Sequence, residues 1–397
     1  LTKRTFVRKI INMDVYQKVE TLGQAAALDC EGPPALTREE RKAQIIDQSR
    51  VYVTHPQRGK IPVLRTMQTS ACERNCYYCP FQAGRNYQRV SFKPEELATA
   101  FDQMQRKKLV EGLFLSSGIV GGGVKAMDAL LDTVAIIRRK YEYRGYIHLK
   151  IMPGAEAAQI EQAARLADRL SINLEGANEH RLSLLAPKKD YWQELLPPLY
   201  WLRQNRHRLE PWVKRPSLTT QFVVGPAGEA DLELLTTAAM LYREVNLARA
   251  YYSPFSPVQG TILESAPKTP PLREHRLYQA DWLLRFYGFQ VDELPFDEQG
   301  HLPLTSDPKL VWAQTHLSHR PIEINQASRA ELLRIPGIGP QTAEAILVAR
   351  RQGHLSDLRQ LKQLGVQTGR AAPFILLAGR RPSYQLSLSG LCLEKRN

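Results

Sequence analysis

The sequence predicts an α/β chain, a partial (β/α)6 TIM-like barrel followed by a small all-α domain. Three observations carry this. Six β-rich runs alternate with helix-patterned stretches between residues 61 and 253. From Pro321 the texture changes to short Leu/Ile/Ala helices separated by glycines. The chain has 397 residues, 43% hydrophobic and 24% charged, which gives room for two or three domains and argues against wholesale disorder.

Taken in order, residues 13–60 read as helical and polar, broken at Gly32 to Pro34. Residues 1–12 are basic and lack acids, which resembles a transit peptide; the preferred reading takes Met13 as the natural start and residues 1–12 as a start-site choice. The β-rich runs are Ile61–Thr69, Gly112–Ser117, Tyr146–Met152, Leu170–Glu175, Leu218–Val224 and Leu247–Ser253. Between them lie Pro94–Lys108, Ala126–Tyr141, Ala155–Asp168, Asp190–Gln204 and Glu229–Arg243, all helix-patterned. This alternation implies right-handed crossovers and a parallel sheet, with chemistry at the C-terminal ends of the strands. The plan is a lead-in at 1–60, a barrel at 61–290, a linker at 291–320, a helical module at 321–380 and a tail at 381–397.

Lys and Arg total 54 against 40 Asp and Glu, a net charge of +14, which points to a polyanionic partner. The longest apolar run, Pro373–Gly379, falls far short of the roughly 20 residues of a membrane helix, and no secretory pattern is present. The five cysteines are odd in number and clustered, unlike a disulfide framework, so the expected compartment is the reducing cytoplasm. Cys30 and Cys392 stand alone and read as incidental thiols.

The other three form Cys72-Glu-Arg-Asn-Cys76-Tyr-Tyr-Cys79, a C-x3-C-x2-C spacing after the first β-run. Three thiolates on one short loop can each hold one iron of a four-iron cubane and leave the fourth iron open. No His stands at zinc-ligand spacing nearby. Here the chain resembles the radical S-adenosylmethionine (radical SAM) superfamily. The resemblance implies a [4Fe-4S] cluster on Cys72, Cys76 and Cys79 and S-adenosylmethionine on the open iron, cleaved to a 5′-deoxyadenosyl radical.

The same resemblance implies the cofactor pocket. Tyr78 precedes the third cysteine, and Ser116, Ser117 and Gly118 stand where the superfamily has a Gly-Gly-Glu-like turn, here without the glutamate. Gly121 to Gly123 lack the P-loop ending and read as a flexible loop. Alternation places His148, Lys150 and Met152 on one face, and Ser171, Asn173 and Glu175 on another. A Lys150–Glu175 ion pair is one reading of these polar residues; contact of Lys150, Asn173 and Glu175 with the cofactor is the other. Gly225 resembles the glycine turn behind the adenine. Arg249, Tyr251 and Ser253 share a face towards the substrate.

In the C-terminal module, Ser328 and Glu331 form a capping box, Pro336-Gly337-Ile338-Gly339-Pro340 breaks the helix, and Pro340 suits the first position of the next. This looks like a helix-hairpin-helix module, a non-specific binder of the DNA backbone. Gly337, Ile338, Gly339, Thr342, Arg350 and Arg351 are the candidate DNA contacts, with Arg334, Lys362 and Arg370 as further phosphate ligands. A weaker copy follows at Leu361–Ala372. Residues 321–397 hold eleven Lys/Arg and five Asp/Glu, hence +6, nearly half of the charge excess.

Gly112–Gly118, Gly145–Lys150, Ala167–Glu175 and Arg273–Tyr287, followed by a hairpin module, together resemble a radical SAM family assigned to DNA modification or repair. Some members are encoded beside uracil-DNA glycosylases. The resemblance implies DNA as partner, a repair glycosylase as a second, and flavodoxin or ferredoxin as electron donor. The Arg273–Tyr287 stretch reads as a packing helix, with a nucleic-acid groove as the alternative. Two other functions stand beside this one: a radical SAM enzyme acting on RNA or protein with the hairpin as docking module, and a non-catalytic iron-sulfur DNA-binding protein.

Overall fold

The computed structural model describes residues 14–27, 50–55, 59–205 and 215–383. Cys30, Cys392 and the proposed start at Met13 lie outside them. The described residues fall into two compact units, one drawn from Leu1–Glu229 and Met240–Glu274, the other from Ala230–Ala239 and His275–Asn397.

The first unit is built on a seven-stranded sheet whose spatial order follows the sequence. Its strands are β1 (Arg50–His55), β2 (Gly59–Met67), β3 (Gly112–Ser116), β4 (Tyr146–Lys150), β5 (Arg169–Ser171), β6 (Ser217–Val224) and β7 (Arg249–Pro254). Strands β2 to β7 are parallel and form a curled half-barrel, as the alternation predicts. Every residue of β3 is buried, the unbroken burial expected of a parallel strand covered on both faces. The crossovers include α2 (Pro94–Arg106), α3 (Gly123–Arg139), α4 (Ala157–Leu166), α5 (Glu179–Leu185), α6 (Leu196–Gln204) and α7 (Asp231–Glu244).

Three features depart from the sequence expectation. The lead-in contains a helix, α1 (Val15–Ala27), but also β1, which pairs antiparallel with β2, His55 opposite Gly59. The alternating Arg-Val-Tyr-Val-Thr-His pattern of β1 is strand-like and was masked by its polar surroundings. Strand β5 ends at Ser171, short of Glu175; Glu175 rejoins the sheet by a single bridge to Phe222. The Gly121–Gly123 run is not a loose loop. Gly121 and Gly122 donate their N–H groups to the Glu73 carboxylate, both at 3.0 Å, and a Cβ on Gly123 would lie 1.8 Å from the Pro153 carbonyl oxygen.

The second unit includes α8 (Pro271–Phe286) from His275 onward, α9 (Pro308–Leu317), α10 (Arg329–Arg334), α11 (Pro340–Gln352), α12 (Leu358–Gln363) and α13 (Thr368–Ala371). It is not purely helical, because β8 (Ile322–Glu323) pairs parallel with β9 (Ile375–Leu376). Its core gathers Leu332, Ile335, Ile338, Ala343, Ile346, Leu361, Val366 and Phe374. Ala313 and Leu317 join that core from α9, inside the stretch expected as linker. They stand four residues apart on one helix face, a short apolar signal within a polar segment. Among the described residues, no helix is long and apolar enough to cross a membrane.

Gly123→Ala tests the close approach of the turns after β3 and β4. The added methyl meets backbone that cannot rotate away. The expected loss is about 1–3 kcal/mol, read as a lower urea midpoint at unchanged slope.

Candidate active site and helical hairpin

The turns that follow the parallel strands enclose a cavity of about 420 Å³. This lies in the range of roughly 300–1,000 Å³ that cofactor and small-molecule sites occupy. Cys72, Cys76 and Cys79 line it, with Tyr78, Ser117, Gly118, Lys150, Asn173 and Glu175. Met67, Met152, Val223 and Phe255 supply apolar wall. Among the described residues, no three His, Cys, Asp or Glu side chains converge on a single-ion position. A four-iron cubane takes its thiolates one per iron, so its ligands need not converge.

The cysteine loop is clamped from several sides. Glu73 N–H donates to Ile119 O at 2.8 Å, and Tyr77 N–H to Leu185 O at 2.7 Å. Arg89 donates to the carbonyls of Ser70, Phe81 and Gln82 at 2.8–2.9 Å. Arg74 pairs with Glu194 at 2.7 Å and also reaches the Lys188 carbonyl. Gly118 donates to Thr69 O at 2.8 Å, and a Cβ there would lie 2.1 Å from the Ala71 oxygen, so only glycine fits against the loop. Two sulfurs accept backbone N–H groups: Cys72 from Ile119 at 3.5 Å and Cys79 from Phe81 at 3.4 Å.

Glu175 adopts a left-handed backbone (φ 63°), a strained state for a non-glycine residue. Its N–H donates to Gln221 O and its carbonyl accepts from Val223, which locks the turn and sets the carboxylate at the cavity wall. Lys189 Nζ donates to Glu175 Oε1 at 2.8 Å, both side chains nearly buried. Burial alone would lower the Lys189 pKa, but Glu175, Cys76 and Cys79 outweigh it and hold the ammonium above its ordinary value. Burial pushes the Cys76 and Cys79 thiols up. Burial, then the Glu175 carboxylate, raises the Tyr78 hydroxyl well above its usual value.

The sequence reading brought most of these residues together, with three corrections. Glu175 forms its ion pair with Lys189, and Lys150 registers with Ser171 on β5, because that strand ends short of Glu175. Ser116 is buried away from the cavity, because alternation turns Ser117 inward instead. Gly225 does not line the cavity either. It forms a turn (φ 112°) whose N–H donates to Glu229 at 2.5 Å, and β6 offers Gln221 and Val223 to the wall. Of Arg249, Tyr251 and Ser253, Ser253 lines the cavity, while the Arg249 guanidinium stacks 4.7 Å from the Tyr251 ring. Lys189, the Arg74–Glu194 pair and Glu73 were missed. The sequence signal for Lys189 is that a buried Glu175 demands a cation.

In the second unit, Ser328 caps α10 with the reciprocal Glu331 bond, as expected. Asp357 caps α12 in the same way, with Gln360. The two hairpins turn on Gly337 (φ 84°) and Gly365 (φ 88°), and Gln367 N–H donates to Gly337 O at 3.1 Å. Ile338 is fully buried beneath the turn. Thr342 faces Gly365 of the second hairpin. Among the described residues, the N–H groups of Gly337 and Gly339 meet no acceptor. Gly339 caps the thirteen-residue α11, so its first-turn dipole adds positive potential there. Three basic candidates are engaged inside the unit: Arg350 with the carbonyls of Ile324 and Ala327, Arg334 with Glu293 at 2.9 Å, and Arg370 with Asp307. Arg351 and Lys362 are exposed.

Comparison with known proteins adds the following. Residues 67–241 match the Radical SAM superfamily, and residues 320–349 match the helix-hairpin-helix motif. No curated protein matches the chain. Among solved structures, the FeFe-hydrogenase maturase HydG from Carboxydothermus hydrogenoformans is 16% identical with a TM-score of 0.42, covering 56% of this chain and 50% of its own. Methylornithine synthase (PylB) is 12% identical with a TM-score of 0.45, covering 66% and 76%. The chain thus spans half the length of that maturase.

Lys189→Met leaves the Glu175 carboxylate buried without its ion-pair partner, and the expected loss is about 3–5 kcal/mol. Adding Glu175→Gln recovers part of it, so a double-mutant cycle in urea returns a large coupling. A second expectation concerns Lys309, whose ammonium donates to Ile338 O at 2.6 Å beneath the hairpin turn. Burial and Arg370 lower its pKa, Asp307 opposes them and Arg334 assists, leaving it at about 7 against an ordinary 10.5. Between these values the unfolded chain holds a proton that the folded chain does not, so stability rises with pH. Lys309→Met should flatten that rise in urea midpoints measured from pH 7 to pH 9.5.

Proposed function

We propose that this chain, a member of the radical SAM superfamily, is an enzyme that modifies or repairs DNA. One observation carries the reading: a cavity lined by three thiols and a helical hairpin with unmet turn amides occur in the same chain. The cavity's donor set fits the superfamily's cofactors, a [4Fe-4S] cluster and S-adenosylmethionine. It offers three thiols from one loop, with no fourth cysteine among the described residues. Glu175 Oε2, buried at the wall, meets no donor among the described residues and can accept one from a bound molecule. The raised thiols need a metal's positive charge to ionise.

Cys72, Cys76 and Cys79 would hold the cluster, which supplies the electron that cleaves S-adenosylmethionine to a hydrogen-abstracting radical. Lys189 offsets the negative charge that the thiolates bring into the cavity. Tyr78, Ser117, Lys150, Asn173 and Glu175 present polar groups to orient the cofactor, while Met67, Met152, Val223 and Phe255 exclude water. Gly337 and Gly339 offer backbone N–H groups to phosphate at the start of α11, with Thr342 in its first turn. Exposed Arg351 and Lys362 add charge-assisted contacts. A helical hairpin of this kind holds the backbone without reading sequence. A flavodoxin or ferredoxin as electron donor and a repair glycosylase as companion complete the reading.

Anaerobically reconstituted full chain should bind about four irons. On reduction it should release 5′-deoxyadenosine from S-adenosylmethionine, and Cys76→Ser should abolish both. The same chain should bind duplex DNA at low salt. Arg351→Glu and Lys362→Glu should each lower the slope of log K against log salt by about 1. Intact cofactor cleavage without duplex binding would retain the enzyme and remove DNA as its substrate.

A further inference from the structure

We infer that Trp282 and Phe286 form a stacking platform for an unpaired DNA base, beside the hairpin that holds the backbone. The inference rests on the DNA reading above and narrows its substrate to strands with unpaired or extruded bases.

Helix α8 divides its faces sharply. Leu277, Tyr278, Ala280 and Leu283 are buried, whereas Trp282 and Phe286 are 49% and 44% exposed. The two rings touch, with centroids 4.9 Å apart. Scattered single apolar residues on a surface are ordinary, but a contacting aromatic pair is not scattered. Arg285 lies beside the pair, its guanidinium 4.7 Å from the Phe286 centroid and 6.0 Å from that of Trp282. The fully buried carboxylate of Asp281 fixes that guanidinium at 2.8 Å. The pair is therefore a pre-ordered aromatic surface backed by an immobilised cation. Such a surface suits the π-face of a base on an anionic strand; any base can stack on it, whatever its identity.

Its position points to the same occupant. Tyr287, the next residue, packs on the hairpin core, and its hydroxyl lies 3.3 Å from where a Cβ on Gly339 would stand. Gly339 is one of the two turn glycines whose N–H meets no acceptor among the described residues. The helix that carries the two rings thus reaches the turn amides through Tyr287, the residue after Phe286, within one unit. Paired bases hide their faces in the stack, so duplex DNA would leave the rings unused.

The test uses the full chain and a fluorescent DNA duplex, intact or carrying a central unpaired 2-aminopurine. Wild type should bind the unpaired form about tenfold more tightly and quench the 2-aminopurine. Trp282→Ala with Phe286→Ala should lose preference and quenching together, while intact-duplex affinity and its salt slope stay unchanged. Trp282→Tyr with Phe286→Tyr should retain both, which separates stacking from a folding defect. Equal binding of the two DNAs without quenching by wild type would overturn the platform. So would a double-alanine variant that keeps the preference, or one whose only change is loss of self-association. Tight binding of the unpaired form without intact-duplex binding would instead overturn the hairpin reading and leave the platform standing. Failure to bind either DNA would overturn both.

Discussion

The first unit is organised around a charge problem. Three thiols line one cavity, and burial pushes two of them, Cys76 and Cys79, up. A buried anion is tolerated only with a compensating charge nearby. Lys189 supplies that charge and is itself held by Glu175. The left-handed turn at Glu175 follows from this requirement. An extended strand would carry the carboxylate past the cavity, so the backbone bends at residue 175 and is fixed there by its two bonds to β6.

The same requirement explains why so much of the chain converges on the cysteine loop. Arg74, Arg89 and Glu73 spend their charges on backbone groups or on partners in neighbouring turns. Each bond removes a freedom that the loop would otherwise have. The glycines beside it serve closeness of approach: Gly118 lies against Ala71 and Gly123 against Pro153, both at distances a methyl group would forbid. Pre-ordering of this kind matters because a ligand set must be in place before its group arrives.

What was legible in the sequence follows from how local each signal is. The parallel strands recur as short β-rich runs between helix-patterned stretches, and the cysteine spacing is contained within eight residues, so both could be read directly. Ser328 with Glu331, and Gly337 with Gly339, are likewise short-range patterns that the structure repeats. Lys189 was illegible because its partner is fourteen residues away and its flanking sequence is that of an exposed loop. Strand β1 was missed because its short alternating pattern lies among polar residues read as helical. Ser116 and Ser117 show the finest limit: neighbouring residues of one type, of which the two-residue period of the strand selects Ser117 for the cavity.

The basic excess needs the same care. The +6 of residues 321–397 reads as a surface for phosphate, yet Arg334, Arg350 and Arg370 are committed to bonds within the second unit. Arg334 also lies 3.7 Å over the Phe289 ring, a packing contact as much as an electrostatic one. These side chains build the hairpins and contribute to the field only at a distance, where salt screens them. On the proposed DNA reading, the short-range contacts to phosphate fall to fewer groups, the turn amides of Gly337 and Gly339 and the exposed Arg351 and Lys362. Backbone amides cannot be lost by side-chain substitution and carry no base preference. On the proposed reading such a module grips any strand, and discrimination would come from another surface of the protein.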